Sequence, residues 1–398
     1  MIPRPDRKGK RRMDHGRAML EGIRIVDLTS VVFGPYCTQL MAEMGADVIK
    51  VEPPGGDFFR RAGMPAYTPG MGPCHMTLNR GKRSAELDLK APADRALMLA
   101  LIREADVFIH NVRGAAIDAL GFGYEAMRAE QPDLIYVHCV GFGSGGPYSP
   151  LQAYDDVIQA ASGMTSFAGR VDGDKRPRYV PSTIADKVAG MHAAYAVLAA
   201  VIHKLRTGAG QFVEVPMFEC FTQFLYEEHL FGGTFEPPTA PIGYPRQIDP
   251  NRQPFPTQDG YISIVPYTDD SMNATFAVLG DPAFLEHEDF ANPMLRAYHI
   301  TRIYARIGEL TPARSTAEWV SLLNAARVPA MAVRDMADIL QDPHLVQTDF
   351  FQHQTHPTEG RIIAMRPPVR FSARPDPHIR PAPLVGEHTE ALRAELTP

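Results

Sequence analysis

Three places in the chain combine residue types and spacing that could do chemistry. The first is Asp186, in Pro181-Ser-Thr-Ile-Ala-Asp-Lys-Val-Ala-Gly190, at the mouth of an Ala-rich apolar stretch. A carboxylate there can cap the helix or favour its first turn. The same amide dipoles can hold it ionised in a half-buried site, and a carboxylate can act as a covalent nucleophile. The second is Tyr154-Asp155-Asp156, which reads either as a solvated turn or as polar groups lining a pocket. The third is Gly141-Phe-Gly143-Ser-Gly-Gly146, which matches a dinucleotide fingerprint after a predicted strand. That fingerprint needs a helix to start at the loop and hold the pyrophosphate. Here Pro147-Tyr-Ser-Pro150 follows, so a ligand-approaching loop is the better expectation, and no nicotinamide or flavin is expected.

Other catalytic patterns are absent or weak. His353-x-x-His356 with His344 lacks an acidic or Cys partner at metal-ligand spacing, so no metal is expected. Neither GxSxG nor GxxxxGK[ST] occurs, which argues against a serine hydrolase elbow and a P-loop.

The elements that must carry these residues alternate. Residues 23–28, 47–51, 84–89, 106–110, 134–140 and 211–215 read as strands. Between them, 37–44, 92–104, 124–130 and 188–204 read as helices. Such alternation predicts an α/β fold, a domain with helices on both faces of a mainly parallel sheet. Pro and Gly become dense after residue 232, and Asp259-Gly260 before Tyr-Ile-Ser-Ile-Val reads as a hairpin turn. The expected layout is a basic tail over 1–18, a large domain over 19–231, a smaller central α+β domain over 232–330, and a return to the first over 331–398.

Composition narrows the partners. The 398 residues provide enough chain for two domains. A net charge of −6 offers no basic field for nucleic acid or an anionic membrane. Residues 188–202 are apolar but too short to span a bilayer, and they read as a buried helix. Cys37, Cys74, Cys139 and Cys220 are widely spaced, which suits a reducing cytoplasm rather than disulfides.

Several segments, in order, resemble the family III CoA-transferases, a group that includes formyl-CoA transferase, carnitine CoA-transferases and α-methylacyl-CoA racemases. They are Leu20-Glu-Gly-Ile-Arg-Ile-Val-Asp-Leu-Thr, Gly34-Pro, Met44-Gly-Ala-Asp-Val-Ile-Lys-Val-Glu-Pro53, and Asn79-Arg-Gly-Lys-Arg-Ser-Ala-Glu-Leu-Asp-Leu-Lys90. They continue through Ala105-Asp-Val-Phe-Ile-His-Asn-Val-Arg113, Gly141-Phe-Gly, Tyr154-Asp155, Gln159-Ala-Ala-Ser-Gly163, Ile184-Ala-Asp186, Arg206-Thr-Gly-Ala-Gly-Gln211 and Pro383-Leu-Val-Gly-Glu-His-Thr389.

The resemblance implies CoA transfer from an acyl-CoA to a carboxylic acid, with Asp186 as the nucleophile that passes through an anhydride and a CoA thioester. It implies CoA contacts at Val32, Phe33, Leu89, Lys90, Asn111, Val112, Arg113, Tyr154 and Asp155. It also implies a Rossmann-like large domain built from both ends of the chain, an interlocked homodimer, no resident cofactor, and coenzyme A as substrate. Val32 stands where formyl-CoA transferases carry Gln, and residues 244–252 lack those enzymes' Gly run. Pro53, Ala119 and Gln152 stand where they carry basic CoA contacts. Ala153-Tyr154-Asp155 replaces the racemases' Gly-His-Asp, which weakens a racemase reading. A non-catalytic acyl-CoA-binding protein is a third reading. Arg246 and Arg252 could meet a second carboxylate, or could be ordinary loop arginines.

Overall fold

A computed structural model describes residues 18–373 and 379–396; the expected basic tail lies almost wholly outside them. The first compact unit holds the parallel sheet. Its elements begin β1 (Arg24–Leu28), α1 (Phe33–Glu43), β2 (Asp47–Glu52), α2 (Pro73–Leu78), β3 (Arg83–Glu86), α3 (Pro92–Arg103) and β4 (Val107–His110). They continue with α4 (Gly114–Ala119), α5 (Tyr124–Glu130), β5 (Ile135–Val140) and α6 (Asp155–Ala161). After α7 (Phe167–Asp172), which belongs to the second unit, come α8 (Ile184–Thr207) and β6 (Gln211–Pro216).

The six strands run in the order β3-β2-β1-β4-β5-β6, all parallel. Apolar residues such as Val26, Ile49, Ile109 and Val137 are fully buried in the sheet, as strands covered on both faces require. The strand order reverses between β1 and β4. Ligands in such sheets bind beyond the carboxyl ends of the strands at this switch point. The loops of interest leave those ends: residues 29–32 after β1, 87–91 after β3, 111–113 after β4 and 141–154 after β5.

Two glycines let the site's helices close up. A Cβ on Gly34 would sit 2.3 Å from the Thr29 side chain, so only Gly lets the chain turn back into α1. A Cβ on Gly190 would lie 2.9 Å from the Phe33 carbonyl oxygen, so α8 can pack directly on the start of α1.

At 24 residues, α8 is longer than the apolar run alone suggested, because it begins at Ile184 and continues to Thr207. Its length and composition would suffice to cross a membrane, which corrects the expectation drawn from 188–202. Its packing is that of a core helix: Ala185, Val188, Ala189, Ala193 and Val197 are buried, and it contacts α1, α6, β5 and β6.

The second unit comprises residues 163–179 and 225–348. It contains an antiparallel sheet of β7 (Phe255–Pro256), β8 (Tyr261–Ile264) and β9 (Ala330–Ala332), and a core that includes Phe276, Ile303, Ile307 and Trp319. Its limits differ from the sequence-based 232–330. The observed border falls inside the helix Met217–His229, between Phe224 and Leu225, ahead of the expected 232. At the other end, β9 pairs with β8, so the unit cannot stop at 330. The antiparallel hairpin of β10 (Phe351–His356) and β11 (Gly360–Met365) belongs to the first unit, as does the C-terminal helix Thr389–Leu396.

Candidate active site

Asp186 occupies the first turn of α8 and is 6% exposed. Thr183 precedes that helix without giving it a side-chain cap. The cap comes from Asp155 instead. Its Oδ1 accepts from the backbone N–H groups of Ala185 at 2.7 Å and Asp186 at 3.2 Å. Its Oδ2 accepts from Gln159 Nε2 at 2.6 Å, one turn along α6. Gln159 is fully buried and also takes the Val180 N–H onto its Oε1 at 2.9 Å, which ties the segment entering α8 to α6. These bonds satisfy donors that a helix start leaves open.

Asp186 does the same service for a different helix. Helix α1 starts at Phe33 with Val32 before it and no side-chain cap. The Phe33 N–H faces the Asp186 carboxylate and favours its ionised form. Two acids, each in the first turn of its own helix, thus stand at the start of another: Asp155 caps α8, and Asp186 lies beside the start of α1.

The electrostatics follow from that placement. Burial pushes the Asp186 carboxyl up to about 7, and the nearby Asp155 charge pushes the same way. The Phe33 N–H and the exposed Lys187 oppose the rise. Asp186 is therefore an ionisable group near neutral pH, faced by one backbone N–H and destabilised as an anion.

The loop after β1 is tied from several sides. Ser30 N–H donates to Asn111 Oδ1 at 3.0 Å, and Asn111 Nδ2 returns a bond to the Ser30 carbonyl at 3.0 Å. Asn111 directly follows β4, so this exchange spans the switch point. Val32 and Phe33 are buried. Of the residues expected from the sequence, Val32, Phe33, Asn111, Asp155 and Asp186 are joined by these elements into one cluster. Asp155 is 6% exposed, with both oxygens engaged by protein donors, so its geometry suits support of Asp186 more than direct contact with a ligand.

The other expected contacts sit differently. Leu89 packs partly against the core and Lys90 is exposed after β3. Val112 gives its carbonyl to His138 Nε2 at 3.0 Å. Arg113 is exposed before α4, and neither Lys90 nor Arg113 forms an ion pair among the described residues. Tyr154 is 61% exposed. These groups line the strand ends without joining the carboxylate pair.

Residues 141–154 form turns and bends, and α6 starts only at Asp155, as the two prolines suggested. Two backbone amides of this glycine loop are already engaged by side chains. Gly143 N–H donates to Glu219 and Ser144 N–H to Glu214, at 3.0 and 2.9 Å. The donor directed at Asp186 comes from Phe33 instead. No group of three or more His, Cys, Asp or Glu among the described residues is arranged for a metal.

Sequence reasoning passed over Gln159 as more than a segment match, and it passed over Lys50 and Asp57. Gln159 lies four residues after Asp155 on a helix, a spacing that puts both on one face. Nothing local marks Asp57 or Lys50 as partners of the turn after β1.

Comparison with known proteins identifies the family. Residues 20–389 match the model of CoA-transferase family III. A succinate–glutarate CoA-transferase of Agrobacterium fabrum is 32% identical over 395 residues, covering 96% of this chain and 97% of that protein. A formyl-CoA:oxalate CoA-transferase of Shigella sonnei is 33% identical over 410 residues, covering 95% of each chain. The crystal structure of a CAIB/BAIF family protein from Brucella suis superposes with a TM-score of 0.80 at 29% identity, covering 96% of this chain and 100% of that one. The chain belongs to CoA-transferase family III and is an enzyme of that family.

Proposed function

We propose that the protein moves CoA from an acyl-CoA to a carboxylic acid and that Asp186 carries the reaction covalently. The observation that carries this reading is the buried Asp186 carboxylate, raised to about 7 and faced by the Phe33 N–H at the start of the helix that follows β1. A carboxylate destabilised by burial and by Asp155 gains when its charge is removed, and acylation removes it.

The steps balance without any other reagent. An Asp186 oxygen attacks the thioester carbonyl, the C–S bond breaks, and a mixed anhydride and CoA thiolate result. The thiolate attacks the Asp186 side-chain carbonyl and expels the donor acid, leaving an Asp186–CoA thioester. The acceptor carboxylate attacks that thioester, giving a second anhydride and thiolate. The thiolate then attacks the acceptor's acyl carbon, releasing the new acyl-CoA and the Asp186 carboxylate. No proton is consumed and each acyl group stays activated, so ATP is not needed. The Phe33 N–H is placed to stabilise the oxyanion on the Asp186 side in the steps that attack it.

The acids named for the two relatives, succinate, glutarate and oxalate, are dicarboxylates, which supports a small dicarboxylate as acceptor. Lys90 and Arg113, exposed at the strand ends, are suited to the phosphate groups of CoA. Free cysteines without disulfides fit the cytoplasm. A homodimer fits the many large apolar side chains exposed on the single chain, among them Met64, Leu205 and Val369. Steady-state assay with succinyl-CoA against a panel of mono- and dicarboxylic acids tests the reading. New acyl-CoA formed from dicarboxylates supports it; hydrolysis only, or no turnover with any acid, counts against it.

A further inference from the structure

The turn that feeds α1 is held against its own backbone preference. Val31 has φ of +68°, a left-handed conformation that strains a β-branched residue. A buried ion pair holds it there. Asp57 Oδ2 accepts from the Val31 N–H at 3.2 Å and from Lys50 Nζ at 3.1 Å, while its Oδ1 accepts from Phe59 N–H at 3.0 Å. Lys50, in β2, also donates to the Thr29 carbonyl at 2.8 Å. Both charged groups are buried. A buried pair is weak support for stability as such, but here it fixes one carbonyl and one N–H on either side of Ser30. Two residues after Val31, the Phe33 carbonyl oxygen lies against Gly190, 2.9 Å from where a Cβ would stand, and one turn earlier on α8 the Asp186 carboxylate faces the Phe33 N–H.

We propose that Lys50 and Asp57 are positioning residues for the transfer reaction: by holding Val31 in its strained conformation, they keep the Phe33 N–H directed at the Asp186 carboxylate. The proposal rests on Asp186 being the reacting group. Neither residue touches Asp186; they act through the backbone of residues 29–33. The other groups that bear on Asp186 are Asp155 from α6 and Lys187 from its own helix, with Tyr36 of α1 packed beside Gly190.

The experiment compares Asp57→Ala, the double variant Asp57→Ala with Val31→Gly, and Glu43→Gln, which breaks another buried ion pair with Arg80 at the far end of α1. The readouts are kcat, the acid limb of the pH–rate profile and the melting temperature. Asp57→Ala is expected to lower kcat by about tenfold or more, the scale of losing one directed donor. Its apparent pKa should move up, because the lost N–H favours the ionised form. Glycine takes a φ of +68° without strain, so adding Val31→Gly should restore several-fold of the lost kcat and bring the apparent pKa back. Glu43→Gln should lower the melting temperature without moving the apparent pKa.

A loss of activity in Asp57→Ala with an unmoved pKa, or without rescue by Val31→Gly, overturns the proposal; so does full activity in Asp57→Ala. Should Asp57→Ala fail to fold, the pair Lys50→Met with Asp57→Leu, which removes the Val31 acceptor without leaving a lone buried charge, is read the same way with and without Val31→Gly. Failure of the underlying reading has a separate signature: wild-type enzyme that turns over while acyl-CoA labels some residue other than Asp186.

Discussion

Asp155 accepts the backbone N–H of Asp186 at 3.2 Å while its negative charge raises the Asp186 carboxyl. One residue therefore both sets the position of the other and makes it a less stable anion. Asp155 is in turn held by Gln159, so the relationship is fixed by α6 and not by a mobile loop.

That relationship sets a pH dependence. Asp186 must be ionised to attack, so turnover should fall below an apparent pKa of about 7 on the acid side. Asp155→Asn keeps an acceptor oxygen for the α8 amides but removes the charge, and the acid limb should move to lower pH. The Gln159 amide loses its charged acceptor, at a cost of about 1–3 kcal/mol in stability. Profiles of kcat/KM for both proteins check this, and an acid limb that moves up in the variant would contradict it.

The strain on the anion also predicts a trade of stability for activity. The folded Asp186 titrates near 7, against 3.8 for the ordinary side chain. The folded state thus holds more protons between these values, and this group's contribution to stability is lost as pH rises through that window. Asp186→Asn does not ionise. At pH 8 it should be more stable than wild type by roughly 1–4 kcal/mol, given about 1.4 kcal/mol per pKa unit, and the gap should close near pH 4. Turnover should be abolished while CoA still binds. Denaturant unfolding at the two pH values measures the gap; equal gaps at both would count against the shifted carboxyl.

Helix contact can be tested at Gly190. A Cβ there meets the Phe33 carbonyl oxygen at 2.9 Å, backbone that cannot swing away like a side chain. Gly190→Ala should push the start of α1 from α8, cost about 1–3 kcal/mol by overpacking, and lower kcat. Thermal unfolding and steady-state kinetics report both effects, and wild-type kinetics in a destabilised variant would show that the α1 start tolerates displacement.

Much of the first unit was legible because its signals are local. The parallel strands read as apolar runs such as residues 106–110 and 134–140, and Pro147 and Pro150 marked the glycine loop as non-helical. The second unit was read less well. Residues 163–179 join it from far away in sequence, and no local pattern reports such an association. The site divides in the same way. Asp186 could be placed at a helix entrance from its neighbours alone. Its pairing with Asp155 spans 31 residues and had no spacing to reveal it. The left-handed Val31 was hidden because a β-branched residue advertises the opposite preference. The buried Lys50–Asp57 pair that holds it likewise looks, in sequence, like two ordinary surface charges.

The most direct test of the account is covalent trapping. Protein incubated with succinyl-CoA and other acyl-CoAs, then quenched with hydroxylamine or borohydride, is digested and mapped by mass spectrometry. The expected result is modification of the peptide containing Asp186, at Asp186 alone, and none in Asp186→Asn. An enzyme that transfers CoA in the same mixture but shows no modification at Asp186 would contradict the central claim.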